Sequence, residues 1–118
     1  MESREKIPER EASLLRGAFS ECAAGCEHAL SSYGAAPGAP EDAAARSLIP
    51  AIAVLRTAVE HVDSGDPRRQ LVLTLVARTC RRAASECQRS GFDKQLLPCA
   101  EHCEEAADLA ERSLKNKL

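Results

Sequence analysis

Apolar residues recur along this chain every three or four positions and never alternate for long, so the elements it predicts are helices that bury one face. Four segments carry the pattern, at about 9–33, 42–62, 67–89 and 93–114. The first aligns Leu15, Phe19, Cys22, Cys26, Ala29 and Tyr33 on one stripe; the second aligns Leu48, Ile52, Leu55, Val59 and Val62. The third repeats the spacing with Leu73, Val76, Cys80, Ala83 and Cys87, and the fourth with Leu96, Cys99, Cys103, Ala106 and Ala110 before fraying into residues 115–118.

The punctuation between the segments agrees. Pro8 stands where the first helix begins, and Glu9 and Glu11 complement the positive end of its dipole. Gly34 closes that helix, and residues 34–41 form the only low-complexity linker. Asp63-Ser64-Gly65-Asp66-Pro67 ends the second segment, with Asp66 as N-cap and Pro67 opening the third. Ser90-Gly91-Phe92-Asp93 is the last turn, with Gly91 as C-cap and Asp93 as N-cap. Pro50 should kink the second helix or delay its regular start. Two short connections and one longer one make successive helices antiparallel. The expectation is an all-α, up-down-up-down four-helix bundle, one domain over residues 1–118.

Composition sharpens this picture. Twenty-one alanines and only three aromatics (Phe19, Tyr33 and Phe92) imply a thin core packed through small side chains. A net charge of −2, with both signs scattered along the chain, leaves no basic stripe for a phosphate backbone; nucleic acid is not an expected partner. No segment approaches the roughly 18 consecutive apolar residues of a membrane span. Met1-Glu2-Ser3-Arg4-Glu5-Lys6 is charged in both signs with no apolar stretch behind it, so the expected location is the cytoplasm. Thiols stay reduced there, and clustered cysteines then favour metal binding or redox chemistry over structural disulfides.

Six cysteines are the feature to explain, and all lie on inward stripes. In the antiparallel arrangement helices one and three end, and helix four begins, at the same end. With the helical rise, Cys26, Cys87 and Cys99 fall roughly 6–12 Å from that end, and Cys22, Cys80 and Cys103 roughly 17 Å from it. Helices one and four face each other rung by rung, Cys22 opposite Cys103 and Cys26 opposite Cys99. A Cys-x-x-x-Cys pair puts two sulfurs on one helix face a turn apart, which suits neighbouring soft ions.

Three readings of the cluster stand side by side. The cysteines can serve as small buried hydrophobes. They can form disulfides between helices one and four, which needs Cα separations of about 4.4–6.8 Å against the usual 8–10 Å between helix axes. Or they can bind metal, where thiolates in a dry core select Cu(I) or Zn(II).

The run from Cys80 through Cys87 to Gly91, continuing into Pro98-Cys99-Ala100-Glu101-His102-Cys103, resembles the cysteine-rich four-helix-bundle copper-binding proteins, the copper storage proteins. Cys22-Ala23-Ala24-Gly25-Cys26 extends the likeness to the first helix. The resemblance implies a bundle that stores or buffers cytosolic copper by direct Cu(I)–thiolate coordination. It carries over to Cys22, Cys26, Cys80, Cys87, Cys99 and Cys103 as metal ligands. Where the family pattern carries further cysteines this chain has Phe19, Leu48, Leu55, Leu73, Val76 and Ala106 among others, and helix two has no thiol, so reduced capacity is expected.

His102 and His28 flank the cluster and are candidate additional ligands, while His61 lies in the other half of the bundle. Enzymatic chemistry is not expected. His102 and Cys103 point about 100° apart as helical neighbours, no third group orients a Cys–His pair, and Glu101 abuts His102 without the Glu-x-x-His spacing of di-iron bundles. The alternative to copper storage is a non-catalytic interaction or adaptor module on the same scaffold, binding no metal. Bundles of this kind commonly self-associate; the sequence names no protein partner.

Overall fold

The computed structural model describes residues 8–33, 43–64, 67–90 and 96–116. Four helices fill these stretches: α1 (Glu9–Tyr33), α2 (Ala43–His61), α3 (Arg68–Ser90) and α4 (Leu96–Leu114). Each packs against the helices before and after it, and α1 closes the ring against α4. The all-α antiparallel bundle expected from the periodicity is the fold. The expected linker at 34–41 and the caps at Gly34, Asp66, Gly91 and Asp93 lie outside the described residues.

Polar contacts across the seams follow the antiparallel register. Ser113 Oγ donates to Glu11 at 2.6 Å, joining the end of α4 to the start of α1. Arg56 donates to Glu27 at 2.6 Å between α2 and α1, and Gln88 to Glu104 at 3.0 Å between α3 and α4. Arg81 reaches both Asp108 and Glu111, at 2.7 and 2.8 Å. Glu111 first and Asp108 second hold its guanidinium pKa above the usual value. Apart from the part-buried Ser113–Glu11 bond these pairs are exposed, so they set register more than stability.

The helix ends have local causes. The first α1 bond runs from Ala12 N–H to the Pro8 carbonyl at 3.0 Å, and the corresponding α3 bond from Leu71 to Pro67 at 3.0 Å. Pro50 neither delays nor ends α2, which runs through it from Ala43; having no N–H, it cannot donate to the Arg46 carbonyl a turn earlier. Helix α4 ends at Leu114, as expected, and residues 117–118 of the expected frayed tail lie outside the described residues. Asn116 takes the left-handed conformation at φ 59°, and its N–H donates to the Ser113 carbonyl at 3.1 Å.

The core is a run of buried positions alternating three and four residues apart. On α1 it is Ala12, Leu15, Phe19, Cys22, Cys26 and Ala29; on α3 Leu73, Val76, Cys80, Ala83 and Cys87; on α4 Leu96, Cys99, Cys103, Ala106 and Ala110. These match expectation, save Tyr33, whose side chain lies outside the described set. Helix α2 matches at Leu48, Leu55 and Val62 but not at the two positions between them. Ala51 and Ala58 are fully buried there, while Ile52 and Val59 are only partly buried against the core.

Candidate metal centre

Three helices bring thiols to one end of the core. On α1 and α4 a spacing of four places Cys22 and Cys26, and Cys99 and Cys103, a turn apart on the inward face. Alanines surround them at Ala23, Ala83, Ala84 and Ala100, all buried, which lets the helices approach. None of the six cysteines exposes more than 2% of its surface, and none is in a disulfide.

The expected rungs are present. Cys99 Sγ lies 3.2 Å from Cys26 Sγ, and Cys22 Sγ lies 3.8 Å from Cys103 Sγ. A diagonal joins the rungs, with Cys26 and Cys103 sulfurs 3.5 Å apart. From α3, Cys80 completes one group of three with Cys22 and Cys103; Cys26, Cys99 and Cys103 form the second. Within each group all sulfurs lie within 4.8 Å of one another. Cys103 belongs to both. Sulfurs bound about 2.3 Å from one ion stand roughly 3.8–4.0 Å apart in tetrahedral or trigonal geometry, so small side-chain adjustments suffice to hold an ion in either group.

Cys87 is the exception among the six. It is fully buried but belongs to neither group. Two helical turns, about 10.5 Å along the axis, separate it from Cys80, so one helix cannot bring both to one level. The histidines stand apart as well: His28 and His102 are exposed and in neither group. With Gly25, Ser32, Pro98 and Cys99 they line a groove of about 350 Å³ between α1 and α4. Among the described residues α2 adds no cysteine, as expected.

The thiols share protons unequally. Cys103, bonded to Cys22, Cys26, Cys80 and Cys99 and buried, has its pKa pushed up. Cys22 is also raised: the bond with Cys103 pulls down, but those with Cys26 and Cys80, together with burial, outweigh it. Cys26 is lowered by bonds from Cys103, Cys22 and Cys99. Cys80 is lowered to about 5 by bonds from Cys103 and Cys22, against the effect of burial. A thiolate in this core is held by neighbouring S–H donors rather than by water. Protons therefore concentrate on the shared sulfur and its partner on α1.

Two features were not read from the sequence. The double membership of Cys103 depends on the diagonal contact, which heights alone do not distinguish. The groove is lined by Gly25, and here a signal existed: a glycine inside a helix costs roughly 0.5–1 kcal/mol relative to alanine, and between two core cysteines it marks a place where little side chain fills the surface. Fold and site together define a helical bundle whose buried cysteine cluster could hold a metal ion. No family model, curated protein or solved structure matches the chain.

Proposed function

We propose that this protein binds Cu(I) in its buried thiolate cluster and serves as a low-capacity copper store or buffer in the cytoplasm. The observation that carries the reading is the pair of three-sulfur groups joined at Cys103. Structural Zn(II) takes four ligands, whereas each group offers three in a dry core. Soft, singly charged Cu(I) accepts thiolate sulfur readily and adds little charge to the interior. A thiolate bridging two ions accounts for two groups sharing one residue, and two ions are the expected load. Cys87, two turns nearer the end of α3 than Cys80, is a buried thiol outside both groups and a reserve ligand.

The separation of the buried thiols from the exposed His102 supports a non-catalytic reading. A reducing compartment suits six buried thiols without a disulfide. No helix among the described residues is long and apolar enough to cross a membrane.

The test is an anaerobic Cu(I) titration of the reduced protein against a chromogenic competitor, with thiols counted in parallel. Two tightly held ions support the reading. Six reactive thiols in the unfolded chain and no bound ion in the folded one would overturn it in favour of the adaptor module.

A further inference from the structure

We infer that the groove between α1 and α4 is the loading site of the cluster, where Cys99 receives a soft cation from solvent. The ion then enters sideways between two helices rather than along the bundle axis. Three observations converge on this point. Cys99, though buried, is the one of the six cysteines that lines the groove. Its sulfur stands 3.2 Å from Cys26, in the same three-sulfur group, so an ion taken up there is one step from the shared Cys103. And the two exposed imidazoles, His28 and His102, flank the same opening.

The opening has a local cause. Gly25 presents no side chain towards α4, and a Cβ there would meet only the His102 ring, at 3.8 Å from its Cδ2 atom. On the α4 side Pro98 precedes Cys99 and brings no N–H of its own to the helix end. Imidazole nitrogen binds Cu(I) less durably than thiolate in a sulfur-rich site, so the histidines can pass an ion inward. When Cys99 takes it, a sulfur–metal bond forms, the thiol proton leaves to water, and the ion keeps its oxidation state.

The role as a metal-loading site rests on the copper reading; the position of Cys99 as the thiol the groove exposes does not. Both are tested on the full chain. Reduced protein is treated with substoichiometric iodoacetamide under native conditions, and each cysteine is assigned by peptide mass mapping. Reactivity follows access, so Cys99 should be alkylated first, about tenfold ahead of the others, and Gly25→Leu should remove about that advantage. Gly25→Ala, which fits the observed space, should leave the order unchanged. Alkylation beginning at any other cysteine overturns the proposal, and the wild-type experiment alone decides this if Gly25→Leu fails to fold. In the metal arm, His28→Gln with His102→Gln should slow Cu(I) uptake from a chelator about tenfold at unchanged stoichiometry, since uptake follows access and not the final ligand set. An unchanged uptake rate overturns the role of the histidines. A wild-type protein that alkylates at Cys99 first but takes no copper rejects the copper reading and keeps the groove as a site for small soft electrophiles. One that binds two ions with Cys99 not alkylated first does the reverse.

Discussion

The two ends of this bundle share one packing pattern and fill it with different chemistry. At the end where α1 starts and α4 finishes, the axis is occupied by Leu15, Phe19, Leu73 and Val76, with Val62 from the end of α2, all fully buried. At the other end the same alternation of three and four residues carries Cys22, Cys26, Cys80, Cys99 and Cys103 among alanines, with only Leu48 and Leu96 as large aliphatic neighbours on the buried stripes. Helix α1 contains both versions on one stripe. Burial of large side chains is worth roughly 1.5–3 kcal/mol each, and buried cysteines behave as smaller hydrophobes. The aliphatic end is therefore the anchor, and the thiol end is released from supplying most of the stability. A functional cluster can occupy a helix core when a separate length of the same helices holds the register.

That division can be broken in several ways, and the largest effect should come from the shared sulfur. Cys103→Ser should lose both ions in the Cu(I) titration, while Cys80→Ser should lose one. Equal loss in both variants would mean that the two groups do not act as drawn. Next, Phe19→Ala at the aliphatic end should cost about 3–5 kcal/mol in denaturant unfolding yet keep two ions bound in the folded protein. If metal capacity falls with it, the ends are not separable. Loading at a free-ion level 100-fold above Kd should stabilise the fold by about 2.7 kcal/mol per ion, and removing each ion by chelation should lower Tm by about 10 °C. Loaded and empty samples melting together would remove any coupling of metal to the fold.

The smallest effect is that of pH, and its direction follows from the proton distribution. Cys22 and Cys103 are raised, so both carry protons at neutral pH that a bound ion must displace. Lower pH therefore favours the empty form. Apparent affinity should fall about tenfold, or about 1.4 kcal/mol, per pH unit for each proton released. Cys80, lowered to about 5, has already lost its proton near neutrality, so the dependence should steepen only below that value. A competition titration repeated between pH 5.5 and 7.5 measures the slope; a flat profile would contradict proton displacement.

Much of this architecture was legible because bulky and sulfur-bearing residues mark one face clearly on α1, α3 and α4. On α2 the same reasoning misled at two positions. Ile52 and Val59 are the larger residues, and a pattern weighted by hydrophobicity selects them over Ala51 and Ala58. On this helix size and burial part company, since the fully buried positions at 51 and 58 are alanines and the bulkier residues next to them are only partly buried. The Cys22–Cys103 and Cys26–Cys99 rungs were readable because antiparallel register is a matter of counting. The diagonal between Cys26 and Cys103 was not, because it depends on rotamers and a lateral offset of helices. Nor could counting show that Cys87, on the correct stripe, belongs to neither group.

The double membership of Cys103 bears on how copper occupancy would respond to supply. On the copper reading proposed above, a first ion would displace the proton of the bridging sulfur, and a second would meet a thiolate already formed and sulfurs already drawn together. The cost of preparing the bridge would then fall on one binding event and favour positive cooperativity. A buffer of that kind would have a threshold, passing from empty to full over a narrow range of free copper.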